Sequence, residues 1–244
     1  MVDIHCHILP AVDDGAQSQE IAIEMCRMAW QDGIEHIVAT PHANGRFAYD
    51  RSSFSNRLNE LMEQVNGCPR LTLGCDFHLS YDNFLALLRT PSEFTIGNTH
   101  YVLIELDNYS IPASLSSNLS RLISQGLAPI ITHPERNPLL RDDLSRVLEW
   151  VRQGALVQVT GDSLTGRWGT PARAAVEWLL KRNAVHVIAS DAHGTSSRTP
   201  ILSKARAEVS LLAGESVARA LVAENPRAIV SGQKLPYLPA VTSS

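Results

Sequence analysis

The sequence predicts an α/β fold in which a parallel sheet is closed, or nearly closed, into a barrel. Short apolar runs of strand length recur along the chain, and segments with helical spacing lie between them. This alternation occurs about seven times, as expected of a parallel sheet rather than a sandwich. A chain of 244 residues has the length of one such barrel, so we predict a single domain over residues 1–244.

Strands and helices are predicted in alternation along the chain. The predicted strands are residues 2–8, 36–40, 71–76, 101–106, 128–132, 156–160 and 185–190. Between them, apolar residues three or four apart predict helices, each ending near a Gly or Asn that favours a helix stop. The clearest patterns are Ile21, Met25 and Met28 before Gly33, Phe54, Leu58, Leu61 and Val65 before Gly67, and Val176, Leu179 and Leu180 before Asn183. After Pro226 we expect a docked last turn, with a loose end at Ser243 and Ser244.

Composition and charge exclude several classes of function. The chain is 44% hydrophobic and 19% charged, which is typical of a soluble domain with a sizeable core. Its net charge of -4, without a Lys/Arg cluster, offers no electrostatic footprint for nucleic acid or an anionic membrane surface. No apolar run is long enough for a membrane span, and the first strand begins at residue 2, so we predict neither membrane insertion nor a signal peptide, and a cytoplasmic protein.

The four cysteines are predicted to be reduced thiols in the core. They form no C-x-x-C pair, and a cytosolic chain keeps its thiols reduced. These residues are Cys6, Cys26, Cys68 and Cys75.

Metal-competent side chains gather where the predicted strands end. His5 and His7 stand two apart in the first strand, so both project from one face, and two imidazoles on one face can share a metal ion. The carboxyl ends of parallel barrel strands converge on one mouth, where residues distant in sequence meet. The candidates at these ends are His5, His7, Asp13 or Asp14, His42, Asp76, Glu105, His133, Asp191 and His193.

The chemistry of this set favours a multinuclear metal site. A carboxylate in an apolar strand, such as Glu105, is costly to bury unless it pairs with a cation or binds a metal. Five imidazoles and four carboxylates, with no thiolate pair, suit Zn, Mn or Fe. The remaining histidines lack this context and are expected to be ordinary core or loop residues: His36, His78, His100 and His186.

Two arginines supply candidate phosphate contacts at the same mouth. Arg136 follows His133 by three residues, and Arg198 follows His193 by five. A guanidinium group matches phosphate oxygens with two parallel hydrogen bonds, so the pair predicts a phosphate-binding function.

Other phosphate chemistries are excluded by their missing motifs. No Arg stands six positions after a cysteine, so the cysteine-phosphatase loop C-x5-R is absent. No lysine follows a glycine in a P-loop pattern, and no G-x-S-x-G elbow occurs. The predicted nucleophile is therefore water activated at a metal, without a covalent enzyme intermediate.

Six segments, in this order and over nearly the whole chain, resemble a known family: DIHCHILPAVDDGA, IVATPH, YVLIEL, THPERN, VTGDSL and ASDAH. They are similar to the PHP (polymerase and histidinol phosphatase) metal-dependent protein-tyrosine phosphatases of bacterial capsule and exopolysaccharide loci, the CpsB/YwqE type. The resemblance implies a distorted (β/α)7 TIM-like barrel of the PHP type with three divalent metal ions, Mn, Fe or Zn. It implies Asp14, rather than Asp13, as a ligand, and it implies that Arg136 and Arg198 hold the phosphate. The implied ligands are His5, His7, Asp14, His42, Asp76, Glu105, His133, Asp191 and His193.

The chain departs from the family pattern at one ligand. The segment LGCDF places Asp76 where the pattern has a longer glutamate. We predict that Asp76 nevertheless binds a metal, because an unpaired carboxylate at the end of an apolar strand is expensive.

The resemblance implies hydrolysis of phosphotyrosine on a protein, namely a bacterial tyrosine autokinase that controls polysaccharide chain length. Two alternatives remain on the same fold: a phosphatase for histidinol phosphate or another small phosphomonoester, and a non-catalytic PHP module that binds a partner. The strand-to-helix connections are predicted to be mostly short, the longest being 43–51 and 161–170, which favours an open mouth. Phe47, Tyr49 and Trp168 in these connections are candidate aryl contacts.

Overall fold

A computed structural model of the protein describes residues 1–242 and contains nine parallel strands there. Ser243 and Ser244, for which the sequence predicts a loose end, lie outside the described residues. The strands are β1 (Val2–Cys6), β2 (His36–Ala39), β3 (His42–Ala43), β4 (Arg70–Leu73), β5 (Asp76–His78), β6 (Tyr101–Glu105), β7 (Ala128–Thr132), β8 (Leu156–Thr160) and β9 (Val187–Ala189).

All seven predicted strands are present, and the second and third are each continued by a short separate strand. Pro41 has no backbone N–H to donate, and it separates β2 from β3. Gly74 separates β4 from β5, and a Cβ at this position would lie 2.8 Å from a methyl group of Val38. Asp76 therefore begins β5 instead of ending a continuous strand 71–76, which corrects that prediction.

The nine strands occupy seven positions around a ring, because β2 with β3 and β4 with β5 each share one position. The hydrogen-bonded orders are β1-β2-β4 and β3-β5-β6-β7-β8-β9, and β3 and β5 continue the lines of β2 and β4. A parallel bridge between Cys6 and Ala192 joins the two ends of this series. Beside it, the Asp191 amide donates to the His5 carbonyl at 2.8 Å, and the His7 amide donates to the Ala192 carbonyl at 2.9 Å. These contacts join the first and last strands into a distorted barrel. The predicted α/β class is confirmed.

The helices follow the strands, and the three most clearly predicted ones are α1 (Gln19–Gln31), α2 (Arg51–Gln64) and α8 (Gly169–Lys181). Side-chain caps start several of them: Ser18 accepts from the Ile21 amide before α1, and Asp50 accepts from the Ser53 amide before α2. No helix within residues 1–242 has both the length and the apolar character needed to cross a membrane. The helices are α1 (Gln19–Gln31), α2 (Arg51–Gln64), α3 (Tyr81–Arg89), α4 (Leu115–Ser124), α5 (Pro138–Arg141), α6 (Ser145–Arg152), α7 (Gly161–Leu164), α8 (Gly169–Lys181), α9 (Ser203–Ala213), α10 (Glu215–Arg219) and α11 (Asn225–Val230), with a 3₁₀ turn at Pro91–Glu93 and a π-helical turn at Ala220–Glu224.

The longest connections after strands are not the predicted ones. Residues 7–18 join β1 to α1, and residues 190–202 join β9 to α9. The predicted loop 161–170 is mostly helical, because α7 occupies Gly161–Leu164 and α8 begins at Gly169. The two long connections carry the candidate ligands Asp14 and His193, so the longest loops after strands lie at the predicted site.

Two apolar clusters form the core and fix the level of the site. The smaller cluster includes Leu103 and Leu156, whereas the larger one includes Val102 and Val157 together with helix residues. Successive strand residues point to opposite faces, so Glu105 shares the face of Leu103. The polar side chains of the site therefore begin with Glu105, two residues after Leu103, where the apolar interior of the barrel ends.

The cysteine prediction is confirmed at three positions and wrong at one. Cys6, Cys26 and Cys75 are buried, but Cys68 is exposed in the connection between α2 and β4. Burial raises the pKa of the Cys26 thiol to about 12, so this thiol stays protonated at neutral pH.

The C-terminal segment docks as predicted through the buried side chain of Asn225. Its amide nitrogen donates to the His186 and Tyr237 carbonyls, both at 2.8 Å, and its oxygen accepts from the Tyr237 amide at 3.0 Å. One side chain therefore ties α11 and the tail to the chain just before β9.

We expect Asn225→Ala to lower the free energy of unfolding by roughly 2–3 kcal/mol, because it leaves buried backbone groups without partners. Chemical denaturation measures the change. In the control Asn118→Ala, the side chain is half-buried on α4 and its hydrogen bond to the Ser114 hydroxyl is exposed, so we expect a change within about 0.5 kcal/mol. Equal losses in the two variants would contradict this role of Asn225.

Candidate metal centre

The fold brings all nine implied ligands together at the carboxyl ends of the strands. Seven of them form three overlapping groups, within each of which one ligand atom per residue lies within 4.8 Å of the others. Of the other two, His133 places Nε2 3.8 Å from Glu105 Oε1, and Asp191 places Oδ1 3.4 Å from Nε2 of both His5 and His7. The groups are His7, Asp14, His42 and His193; His5, His7 and Asp76; and His42, Asp76 and Glu105.

His5, in β1, and His7, directly after β1, present their Nε2 atoms to the same point, 3.3 Å apart, as their two-residue spacing predicts. Both side chains are buried. The Nδ1 atom of His5 donates to the Gln158 side-chain oxygen at 2.9 Å, and Nδ1 of His7 donates to Asp13 Oδ2 at 2.7 Å. A proton fixed on Nδ1 leaves the Nε2 lone pair of each ring free to bind a metal.

Asp13 and Asp14 have different surroundings, although they are adjacent in sequence. Asp13 is buried and accepts from the amides of Gly15 and His42, in addition to the His7 ring. Asp14 is largely exposed and places Oδ1 3.4 Å from His42 Nε2. Asp14 therefore faces the cluster of candidate ligands, whereas Asp13 accepts a hydrogen bond from the opposite side of the His7 ring and orients it.

Buried polar atoms without hydrogen-bond partners provide a test of whether a metal fits. Within residues 1–242, both oxygens of Asp76, Nδ1 of His42 and Nε2 of His193 are buried and form no hydrogen bond. Asp76 Oδ2 lies 3.1 Å from His42 Nδ1 and 3.5 Å from His5 Nε2. Buried polar atoms in native proteins almost always have a partner, so this cluster fits bound cations.

The protonation of the imidazoles leads to the same conclusion. Burial lowers the pKa of His5, but Asp76 and Asp191 outweigh burial and raise the pKa to about 9. Burial also lowers the pKa of His42, whereas Asp14 and Asp76 raise it to about 11. In the protein alone, protons on the rings offset the buried carboxylates. A metal ion uses the same nitrogen lone pairs and can replace those protons.

Arg136 and Arg198 both donate to one oxygen of Asp191. The Nη2 atom of Arg198 lies 2.7 Å from Asp191 Oδ2, and Nη1 of Arg136 binds the same oxygen. The Trp168 ring stacks on Arg136, whose Cζ lies 3.9 Å from the ring centroid. Beside Arg136 and Trp168 is a cavity of about 140 Å³, lined by Glu105, Asn108, His133, Arg136, Arg141 and Trp168.

Three residues of the site adopt backbone conformations that side chains rarely take. The φ angles are 33° at His133, 50° at Asp191 and 50° at Arg198. Such a conformation costs roughly 1–3 kcal/mol and persists where the surrounding structure enforces it. The amide of His133 donates to the Gln158 carbonyl at 2.8 Å, which holds this turn against β8.

Gln158 and His78 lie at the site but were not predicted there, whereas Asp13 was a candidate from the residues that the family resemblance set aside in favour of Asp14. Gln158 is a buried amide in the apolar strand β8, and a polar residue within such a strand could have indicated a role at the site. His78 gave no signal beyond being a histidine, yet its Nδ1 lies 3.7 Å from Glu105 Oε2. The ordinary environments expected of the other histidines hold for His36, which contacts a threonine hydroxyl at 2.7 Å.

Of the three candidate aryl contacts, two lie at the site. The Phe47 ring stacks on His42 with centroids 5.9 Å apart, and Trp168 lies on Arg136. Tyr49 is directed elsewhere, because its hydroxyl donates to the Gly74 carbonyl at 2.9 Å. That prediction is therefore wrong for Tyr49.

A family model for capsular polysaccharide synthesis, CpsB/CapC, matches residues 1–231. The chain belongs to this family. Tyrosine-protein phosphatase YwqE of Bacillus subtilis is 34% identical over 201 residues, which cover 81% of this chain and 79% of that protein. Tyrosine-protein phosphatase CpsB of Streptococcus pneumoniae is 27% identical over 242 residues, covering 96% and 99%.

Solved structures agree with the family assignment. A structure from work on YwqE and CpsB, described as unique metal-dependent tyrosine phosphatases, superposes with a TM-score of 0.90 at 30% identity and covers 100% of both chains. The β-aspartyl dipeptidase of Fervidobacterium islandicum superposes with a TM-score of 0.58 at 14% identity, over 99% of this chain and 76% of that one. The second similarity shows the fold alone.

The position of Asp13 behind His7 generates a prediction for metal affinity. We expect Asp13→Asn to weaken metal binding by about 10–100-fold, because the neutral amide orients the His7 ring less well. Elemental analysis and metal titration of the purified protein measure the effect. Asp142→Asn, on the exposed end of α5, is the matched control and should bind metal as the wild type does. Unchanged affinity in Asp13→Asn would remove Asp13 from the site.

Proposed function

We propose that this protein is a metal-dependent protein-tyrosine phosphatase. The observation that supports this most directly is the sharing of Asp191 between the imidazole cluster and two arginines. It supports a metal-binding set beside a phosphate-binding set at one mouth. The relatives of the chain carry the name tyrosine-protein phosphatase, and one solved relative is described as metal-dependent.

The proposed metal site holds three divalent ions, Mn, Fe or Zn. The overlapping groups and the unpartnered buried atoms of Asp76, His42 and His193 support this number and this donor set. When bound, such ions would supply Lewis-acid stabilisation of phosphoryl oxygens and would lower the pKa of water from its bulk value to about 7. The proposed ligands are His5, His7, Asp14, His42, Asp76, Glu105, His133, Asp191 and His193.

The protein's own groups bind and orient the phosphoester. Arg136 and Arg198 present guanidinium N–H groups that match the equatorial phosphate oxygens and offset charge as it develops there. Gln158 and Asp13 keep the His5 and His7 rings in the tautomer that binds metal. The leaving phenolate has a conjugate acid of pKa near 10, so it departs with little help from a general acid.

The proposed substrate is phosphotyrosine on a bacterial tyrosine autokinase of capsule or exopolysaccharide synthesis. The family description, capsular polysaccharide synthesis, supports this class of partner. We place the reaction in the cytoplasm, where a kinase obtains its ATP.

Hydrolysis assays with and without a chelator test the function. We expect a phosphotyrosine peptide to be hydrolysed efficiently, a phosphoserine peptide much less because its alkoxide leaves less readily, and histidinol phosphate only weakly. Chelation should abolish all three activities, and added Mn, Fe or Zn should restore them. A clear preference for histidinol phosphate would replace the substrate assignment. Absence of all phosphatase activity in the metal-loaded protein would favour a non-catalytic module.

Substitution of the arginines tests their proposed contact with phosphate. Arg136→Lys keeps the charge but loses the two-pronged hydrogen bond, so kcat/KM should fall by about tenfold or more. Arg198→Ala should have a loss of similar or larger size for the same reason. Arg121→Lys, on α4, is the control with the same chemical change and should leave kcat/KM unchanged. Wild-type efficiency in both site variants would exclude these arginines from phosphate binding.

A further inference from the structure

One indole ring contacts both arginines of the site. The Cζ atom of Arg136 lies 3.9 Å from the centroid of the Trp168 ring, and that of Arg198 lies 5.6 Å away. Both distances are within the range of a cation–π contact. Trp168 immediately precedes Gly169, the first residue of α8, and together with Arg136 it lines the cavity of about 140 Å³.

Packing in the barrel core does not account for this tryptophan. Neither apolar cluster includes Trp168 among its members or the residues packed against it. Trp178, on the same helix, provides a contrast, because it packs against the larger cluster. Trp178 also stacks on an arginine, Arg182, at the same distance of 3.9 Å. Two Trp–Arg contacts within residues 1–242 therefore have the same length of 3.9 Å, and one of them lies at the site.

Asp191 alone cannot define where the arginines lie during the proposed reaction. In the structure, this carboxylate accepts hydrogen bonds from both guanidinium groups. Asp191 is also a proposed metal ligand, and a phosphate would compete for the same guanidinium N–H groups. The indole contact differs, because a stacked guanidinium keeps its in-plane N–H donors available for phosphate.

We propose that Trp168 is a positioning residue that holds Arg136 and Arg198 in place to bind the phosphoester. This inference rests on the proposed function. The aromatic face is the feature that matters, so phenylalanine should replace Trp168 better than an aliphatic residue of similar hydrophobicity does.

Two substitutions test the aromatic face. For Trp168→Leu, we expect kcat/KM on a phosphotyrosine peptide to fall by about tenfold, and the inhibition constant of inorganic phosphate to rise by about fivefold. Trp168→Phe should stay within about threefold of the wild type in both measurements. Metal content and melting temperature should be unchanged in both variants. Wild-type kinetics in Trp168→Leu, or equal losses in both variants, would overturn the proposal.

Trp178→Leu is the matched control. It removes a Trp–Arg contact of the same length, at a position where the ring packs on the core. We expect a lower melting temperature and unchanged kcat/KM and phosphate inhibition. A comparable kinetic loss in Trp178→Leu would mean that the effect of Trp168→Leu comes from general destabilisation and would overturn the proposal.

A double-mutant cycle tests whether Trp168 acts through the arginines. In the background of Arg136→Lys with Arg198→Lys, Trp168→Leu should change kcat/KM by less than about twofold. The same loss in both backgrounds would contradict a positioning role. If Trp168→Leu does not fold, Trp168→Met is used in the same measurements.

Calorimetric binding of inorganic phosphate separates this inference from the proposed function. A wild-type protein that binds phosphate without hydrolysing phosphopeptides would contradict the function, while weaker binding in Trp168→Leu would still support the role of Trp168. Equal phosphate affinity in the wild type and Trp168→Leu would overturn the inference even if the wild type is an active phosphatase.

Discussion

Asp191 is a buried carboxylate on which both halves of the candidate site depend. One oxygen lies 3.4 Å from the Nε2 atoms of His5 and His7, and the other accepts from Arg136 and Arg198. Burial alone would raise the pKa of Asp191, but these neighbours, Arg136 and His5 above all, hold it well below the usual range. An ionised carboxylate at 2% exposure is stable only with such partners, so the imidazoles and arginines must converge around it.

The same residue links the site to closure of the barrel. The Asp191 amide donates to the His5 carbonyl. The next residue, Ala192, forms the bridge to Cys6 that joins the end of β9 to β1. The backbone at Asp191 takes a φ of 50°, which turns the chain from β9 towards the mouth. The contacts that close the ring therefore also set the distance between the candidate ligands His5 and His7 and those that follow β9, Asp191 and His193.

The sequence predicted the strands and the convergence of the ligands well, because both depend on local spacing and on the rule that parallel strands end at one edge. It could not distinguish Asp13 from Asp14 by residue type, since the difference arises from how the loop after β1 folds over His7. Gly15 enforces that fold, as a side chain there would overlap the His7 carbonyl. The helix over Gly161–Leu164 was also missed, because its small polar residues are typical of loops.

In the proposed function, the charge balance of the site couples metal binding to phosphate binding. In the protein alone, protonated imidazoles offset part of the charge of the proposed ligand carboxylates, and both arginines are paired with Asp191. A phosphate dianion entering such a site meets carboxylates at short range and arginines that are already engaged, which disfavours binding in a low-dielectric mouth. In the proposed function, divalent cations held by these carboxylates would add positive charge and share Asp191, which would leave the guanidinium groups of Arg136 and Arg198 available to phosphate. An aromatic contact for the arginines then matters most, because it persists while their carboxylate partner is shared. The carboxylates are Asp14, Asp76, Glu105 and Asp191.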